Sequence, residues 1–152
     1  KNIPMLGLAN FPKLKKFYLN KNSKEAYVFE NKKKIRLKVN SKINFSNAKL
    51  AAAFHGYLSL EKQMKIKKFI KRMQFPCFDA LTYGQLAEGR VDIVVQCANK
   101  IWDIHPLIPI IRAAGGIVTT WKNEKAELGG NIIASNNLRN HKNIIKLLKP
   151  AS

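Results

Sequence analysis

The first part of the chain alternates short apolar and polar stretches at the two-residue spacing that is typical of β-strands. Asn31 is a residue type that tolerates tight turns, and it separates two of these stretches, which predicts a hairpin. The apolar positions of residues 60–73 recur near the helical period and predict a helix. The predicted strands of this part are residues 5–8, 16–19, 25–30, 34–39 and 49–54.

After residue 78 the pattern changes to alternating helices and strands. Residues 79–88 predict a helix that ends at Gly89, since glycine is favoured just past a helix C-terminus. A largely apolar strand follows at 91–97, and a second helix begins near Asp103. The remaining predicted elements are strands at 117–121 and 131–135 and a helix at 138–148. The succession of strands, and then of strands and helices, predicts an α/β fold of layered sheets and helices.

The chain is strongly basic, with a formal net charge of +19, and this charge is unevenly distributed. Residues 1–78 hold 19 lysines and arginines against three acids, whereas residues 79–152 hold nine against six. Such a charge raises a non-catalytic, basic nucleic-acid-binding module as an alternative function. Only five of the 28 basic residues are arginines, which contact bases and phosphates through paired hydrogen bonds, and no nucleic-acid-binding motif accompanies them. The charge therefore favours solvated surfaces over a specific nucleic-acid site.

Length and composition fit one domain with a hydrophobic core, because 46% of the 152 residues are hydrophobic. No apolar run approaches the ~18 residues that a membrane-spanning helix needs. Cys77 and Cys97 lack partners at zinc-binding spacing, so we expect buried free thiols, which suit a reducing cytoplasm. The sequence contains no nucleophile-elbow serine, Walker loop or dinucleotide-binding glycine pattern.

Residues 102–116 carry the most informative candidate chemistry. Trp102 and Asp103 precede an apolar helical run that ends at Gly115 and Gly116, before the next predicted strand. An aspartate in this place is typical of a helix cap, where its carboxylate accepts hydrogen bonds from amides of the first turn. A carboxylate at a helix N-terminus can also hold a divalent cation, together with a phosphate bound to that cation. The spacing alone leaves both interpretations open.

This stretch and its flanks resemble the C-terminal signature of the inositol monophosphatase superfamily of metal-dependent phosphatases. The resemblance covers about half of the chain, residues 78–150, and the part of the chain before it is less similar to the family's central strands. Within the family, the sequence is most similar to the histidinol-phosphate phosphatases. The matching segments are residues 79–95, Trp102-Asp103, residues 114–121 and residues 129–135, and the histidinol-phosphatase features are Asp79, Tyr83, Pro109 and the glycine pair before Asn131.

The resemblance implies an α/β, layered sugar-phosphatase fold with a mixed sheet and flanking helices, of which this chain would be the C-terminal portion. Residues 1–78 would be a basic, strand-rich segment, and residues 79–152 the C-terminal α/β domain. The family's N-terminal half carries a Glu-Glu pair and an Asp-Pro-x-Asp-Gly-Thr loop, which have no counterpart here. We therefore expect no water-activating catalytic residue in this portion, and neither tight Mg²⁺ binding nor useful turnover by the chain alone.

The implied activity is Mg²⁺-dependent hydrolysis of a small phosphate monoester, with histidinol phosphate, an intermediate of histidine biosynthesis, as the first candidate substrate. Inositol monophosphate or a related sugar phosphate is the alternative within the same class. By family position, Asp103 would be a Mg²⁺ ligand, and Asp79 and Gln96 would bind the organic part of the substrate. A carboxylate at Asp79 suits a cationic group, but a helix cap explains it equally well. Gln96 replaces the glutamate that is usual in the family.

Three further features complete the expectations. His55 and His141 lie in segments without a recognisable site motif, and His105 is interpreted as a packed or surface residue. Pro106 fits the first turn of a helix, whereas Pro109 lies deeper and predicts a kink. The resemblance also implies a homodimer.

Overall fold

The computed structural model describes residues 3–152, which form nine strands and six α-helices. The strands are β1 (Leu8–Phe11), β2 (Lys16–Asn22), β3 (Glu25–Glu30), β4 (Lys33–Arg36), β5 (Leu50–Ala53), β6 (Phe75–Pro76), β7 (Ile93–Asn99), β8 (Ile117–Thr120) and β9 (Gly130–Ser135). The helices are α1 (Leu60–Lys65), α2 (Lys67–Ile70), α3 (Asp79–Ala87), α4 (Ile101–Ile104), α5 (Leu107–Ala113) and α6 (Leu138–Leu148).

Strands β1 to β4 form an antiparallel sheet in sequence order. Asn31 and Lys32 both adopt a left-handed backbone between the paired residues Glu30 and Lys33, so the predicted hairpin closes with a two-residue turn. Alternate residues of the sheet, including Tyr18 and Val28, are buried against the helical layer of α3 and α5. Residues that alternate along the sequence thus form two faces of the sheet, one packed against the helices and one more exposed.

The second sheet has the strand order β6-β5-β7-β9-β8. Strands β6 and β7 both run parallel to β5, whereas β9 is antiparallel to β7 and β8. One face of this sheet packs on α3 and α5, and the other face packs on α2 and α6. The predicted α/β fold with a mixed sheet and flanking helices is therefore confirmed, and its second sheet takes strands from both sides of residue 78.

Several predicted boundaries are wrong for local reasons. The strand predicted at 5–8 lies instead at Leu8–Phe11, because Asn20 holds the preceding segment by bonding Met5 O and Gly7 N through its side chain. The strand predicted at 34–39 ends at Arg36. The helix predicted at 60–73 is divided at Ile66, whose backbone leaves the helical region while its side chain is buried.

The helical run after Asp103 is also divided, and the break lies earlier than predicted. Helix α4 ends at Ile104, and α5 begins at Leu107, directly after Pro106. Pro109 therefore occupies the first turn of α5 and not a helix interior. The amides of a first turn need no intrahelical partner, so proline is tolerated there without the kink that the sequence predicted.

The structure confirms that Cys77 and Cys97 are free and buried. Within residues 3–152, none of the helices combines the length and the apolar character that crossing a membrane requires.

His141 makes the folding stability of the chain dependent on pH. Its ring nitrogens lie 2.8 Å from Thr119 Oγ1 and from Ser135 Oγ, and burial lowers its pKa from 6.5 to about 4. As the pH falls through this interval the unfolded chain binds the proton first, so stability that is present near neutral pH is lost by up to about 3 kcal/mol. Urea unfolding at about pH 7 and about pH 4.5 should show this loss, and His141→Gln should show a clearly smaller one. Equal losses in both proteins would assign the effect to other groups.

Candidate active site

A cleft with a volume of about 540 Å³ lies where β5 and β7 end and α3 and α4 begin. Because β5 and β7 are parallel, their carboxyl ends share one edge of the sheet, which is where open α/β sheets usually bind ligands. The residues that line the cleft are His55, Tyr57, Asp79, Ala80, Gln96, Cys97, Ala98, Asn99, Lys100, Trp102 and Asp103. The three residues singled out from the sequence, Asp79, Gln96 and Asp103, thus lie in the same cleft.

Asp103 is half-buried at the third position of α4 and combines the two properties that the sequence left open. Its Oδ2 accepts a hydrogen bond of 2.8 Å from the backbone N–H of Lys100, which is the N-cap residue, so one oxygen completes the helix cap although Asp103 is not itself the N-cap. Its Oδ1 accepts no hydrogen bond from the residues that the structure describes, although the side chain lines the cleft. One carboxylate oxygen is therefore available to a ligand.

Asp79 does not cap α3, although capping was an equally good explanation of its position. The N-cap residue is Phe78, whose backbone N–H donates instead to Thr82 Oγ1 at 2.6 Å. The Asp79 side chain is 68% exposed, and its Oδ1 faces Gln96 and His55. Its carboxylate is directed to the cleft rather than to the amides of its own helix.

Gln96 forms the buried floor of this part of the cleft, with only 3% of its surface exposed. Its Nε2 donates to Asp79 Oδ1 at 2.6 Å and lies 2.7 Å from His55 Nε2. Its Oε1 is buried and finds no hydrogen-bond partner among residues 3–152. An orphaned buried acceptor is unusual in proteins, and this one belongs to a side chain that lines the cleft.

His55 is the site residue that the sequence did not reveal. It follows β5 in a loop, and its Nε2 lies 3.3 Å from Asp79 Oδ1 in addition to its contact with Gln96. No spacing motif marks it, but its place after a strand that runs parallel to β7 could have done so. His105 and His141 lie outside the cleft lining.

The backbone of the cleft is unusually strained. Among residues 3–152, seven non-glycine residues have a positive φ, and three of them, His55, Asp79 and Ala98, line this cleft. Ala98 lies where the pairing of β7 with β9 shifts its register. Such conformations cost about 1–3 kcal/mol each and concentrate at functional sites, so their clustering supports a functional role for the cleft.

Two other reactive groups near the cleft are held in their neutral forms. Burial raises the pKa of the Cys97 thiol to about 11, so it is not a thiolate nucleophile at neutral pH. Burial also raises the pKa of Tyr83, whose hydroxyl lies 3.4 Å from Asn99 Oδ1 beneath the cleft. Neither group is therefore an anionic nucleophile at neutral pH.

The side chains of the cleft provide one ligand for a divalent cation but not a complete metal site. Mg²⁺ prefers near-octahedral oxygen coordination, and Asp103 offers one free carboxylate oxygen to the cleft. Within residues 3–152, no group of three or more His, Cys, Asp or Glu side chains is arranged to hold a metal ion. A cation bound at Asp103 therefore needs further oxygen ligands from outside this set.

Comparisons with known proteins agree with this arrangement. The family model described as the inositol monophosphatase family matches residues 1–152. The bifunctional phosphatase IMPL2 of Arabidopsis thaliana is 28% identical over 127 residues, which cover 82% of this chain and 36% of that protein. The histidinol-phosphatase of Mycobacterium tuberculosis is 37% identical over 60 residues, which cover 40% of this chain and 23% of that protein. The chain thus spans about a third or less of these curated relatives.

Solved structures share the fold at lower identity. Mycobacterium tuberculosis SuhB superposes with a TM-score of 0.77 and 18% identity, covering 99% of this chain and 60% of that one. An IMPase/NADP phosphatase complexed with Mg²⁺ and phosphate superposes with a TM-score of 0.62 and 15% identity, covering 88% of this chain and 53% of that one. At such identities the likeness establishes the fold alone.

Proposed function

The chain belongs to the inositol monophosphatase family, and we propose on this basis that it supplies one portion of the active site of a Mg²⁺-dependent phosphate monoester hydrolase. The observation that carries the proposal is the free carboxylate oxygen of Asp103 in the cleft that also contains Asp79 and Gln96. Asp103 would hold the metal, and the other two residues would face the organic part of the substrate. One cleft would thus bind both ends of a phosphate ester.

Asp103 suits its role because its capping hydrogen bond fixes the carboxylate. With Oδ2 bound to the backbone N–H of Lys100, Oδ1 is held in a set direction before a cation arrives. Bound Mg²⁺ would neutralise charge on the phosphate and lower the pKa of an attacking water. Residues 3–152 arrange no further cluster of metal ligands around Asp103, so the proposal assigns the other ligands and the water-activating residue to groups beyond this set.

The substrate proposed first is histidinol phosphate, and two observations support it. Asp79 places a carboxylate where a cationic organic group would bind, and a histidinol-phosphatase is among the relatives. A specific observation also favours a second candidate, an inositol or sugar phosphate. Gln96 is neutral and buried, so this end of the cleft carries one carboxylate and an amide, which suit hydroxyl groups.

The proposal is tested in a chimera in which residues 1–152 replace the matching region of Arabidopsis thaliana IMPL2. We expect phosphate release that depends on Mg²⁺, measured separately with histidinol phosphate and with inositol monophosphate. The chain alone serves as the control and should release no phosphate above background. A folded chimera that hydrolyses neither ester would contradict the proposal.

Gln96→Glu should shift the preference of this chimera toward the amine-bearing substrate. The introduced carboxylate lies beside that of Asp79, and an ammonium group that binds between them forms charge-assisted hydrogen bonds, worth about 1–2 kcal/mol or roughly tenfold in KM. The ratio of kcat/KM for histidinol phosphate over inositol monophosphate measures the shift. Glu124→Gln, which lies outside the cleft, is the matched control and should leave the ratio unchanged. An unchanged ratio for Gln96→Glu would place the organic group elsewhere.

A further inference from the structure

The contacts around Gln96 determine which way its side-chain amide faces. The amide atom nearest Asp79 lies 2.6 Å from Oδ1, and the same atom lies 2.7 Å from His55 Nε2. An amide oxygen in this place would meet the carboxylate oxygen without a proton between them. A nitrogen has two N–H groups and can donate one to each neighbour. The nitrogen therefore faces Asp79 and His55, and Oε1 is the buried atom without a partner.

The same contacts determine the state of the His55 ring. Because Gln96 Nε2 donates toward it, His55 Nε2 must present its lone pair, and the ring proton of the neutral imidazole lies on Nδ1. If Nε2 carried a proton, two donors would face each other at 2.7 Å. Asp79 Oδ1, at 3.3 Å from the same nitrogen, completes a cluster in which Gln96 is the shared donor.

We propose that His55 is a positioning residue that holds the Gln96 amide with its Nε2 toward Asp79, beside the place where the organic part of the substrate binds. By accepting the second N–H of Gln96, His55 prevents the amide from turning over. The Asp79 carboxylate, held in place by the N–H of Gln96, then receives a group that donates hydrogen bonds, either the hydroxyls of a polyol or an ammonium group. The subsite role rests on the proposed function, whereas the orientation of the amide and the ring tautomer do not.

Two substitutions at His55 separate the hydrogen bond from the loop conformation. Glutamine reaches about as far as the imidazole Nε2 and presents a side-chain oxygen that can accept from Gln96. Asparagine is shorter and cannot reach Gln96, but it tolerates the left-handed backbone that His55 adopts at φ 47°. His55→Gln should therefore retain the function of the wild-type residue, and His55→Asn should retain the loop without the contact.

The first test uses the chain as it is and requires no substrate. Long-range ¹H–¹⁵N spectra of the histidine rings report which nitrogen carries the proton, and His55→Gln identifies the signals of His55. We expect an unprotonated Nε2 and a protonated Nδ1 at neutral pH, together with a Gln96 side-chain amide signal that shifts in His55→Asn. A protonated Nε2 in the neutral ring would overturn the proposal, whatever activity the chimera has.

The second test measures kcat and KM in the IMPL2 chimera. His55→Asn should raise KM about tenfold and change kcat less than about twofold, because the contact affects binding of the organic group rather than the reacting phosphate. His55→Gln should restore KM to within about threefold of the wild-type value. Equal KM values for all three proteins, or a loss confined to kcat, would refute the positioning role. Absence of activity in every protein, with the expected tautomer present, would instead contradict the proposed function.

Discussion

Asp103→Asn is expected to reduce the Mg²⁺-dependent kcat of the IMPL2 chimera by at least about 100-fold while leaving its unfolding temperature nearly unchanged. Asparagine can still accept the hydrogen bond from the backbone N–H of Lys100, so the helix cap survives the substitution. The anionic oxygen that would hold the metal is lost, because an amide oxygen carries no charge to offset the cost of dehydrating Mg²⁺. Phosphate release over a series of Mg²⁺ concentrations measures the effect.

Two further variants assign the loss to the metal rather than to folding. Asp103→Ala removes both the cap and the metal ligand, so it should lose activity and also about 1 kcal/mol of stability. Glu61→Gln alters an exposed carboxylate of α1 outside the cleft and should change neither property. Full activity of Asp103→Asn would show that Asp103 is a helix cap and nothing more.

Glu88→Ala is expected to destabilise the chain by about 3–5 kcal/mol, the largest effect on folding that we anticipate. The Lys16 side chain is only 4% exposed, and its Nζ lies 2.6 Å from Glu88 Oε1, with Glu30 Oε2 at 3.6 Å. Glu88 also accepts a hydrogen bond from Tyr18 and pairs with Arg90 at 2.8 Å. Removing this carboxylate leaves Lys16 buried with a single, more distant partner. Urea unfolding measures the loss.

The control variants distinguish a buried charge from an ordinary ion pair. Lys16→Met combined with Glu88→Ala should recover much of the lost stability, because the unpaired buried charge is then absent. Glu25→Ala removes a carboxylate that lies 4.0 Å from the exposed Lys21 and accepts a hydrogen bond from the Tyr27 hydroxyl, and it should cost less than about 1 kcal/mol. A similar loss for Glu25→Ala and Glu88→Ala would contradict the assignment.

The fold was predictable wherever the hydrophobic period was unambiguous. The strand predicted at 25–30 is β3 without a shift at either end, and the helix predicted at 138–148 is α6. The predictions failed where one side chain overrides the local pattern, as at Asn20, which holds residues 5–7, and at Ile66, which leaves the helix to be buried. The net charge of the sequence likewise does not show that the side chain of Lys16 is buried, unlike that of an ordinary surface lysine.

The candidate site was predictable only in part. The family resemblance selected Asp103, Asp79 and Gln96, which lie on three successive elements, and the fold brings all three to one cleft. The resemblance could not reveal His55, whose contact with Gln96 depends on parallel pairing between β5 and β7. These two strands are separated by 39 residues of the chain. Nor could the spacing reveal that the two oxygens of Asp103 have different roles, because that division depends on Lys100 being the N-cap residue of α4.

Paramagnetic broadening by Mn²⁺ in the chain alone tests the assignment of Asp103 most directly. Mn²⁺ uses the same oxygen ligands as Mg²⁺ and broadens nearby amide signals even when it binds weakly. We predict broadening centred on the start of α4, with weaker effects at Asp79 and Gln96, and its disappearance in Asp103→Asn. Broadening that is centred on other carboxylates, or that is the same in both proteins, would contradict a metal-binding role for Asp103.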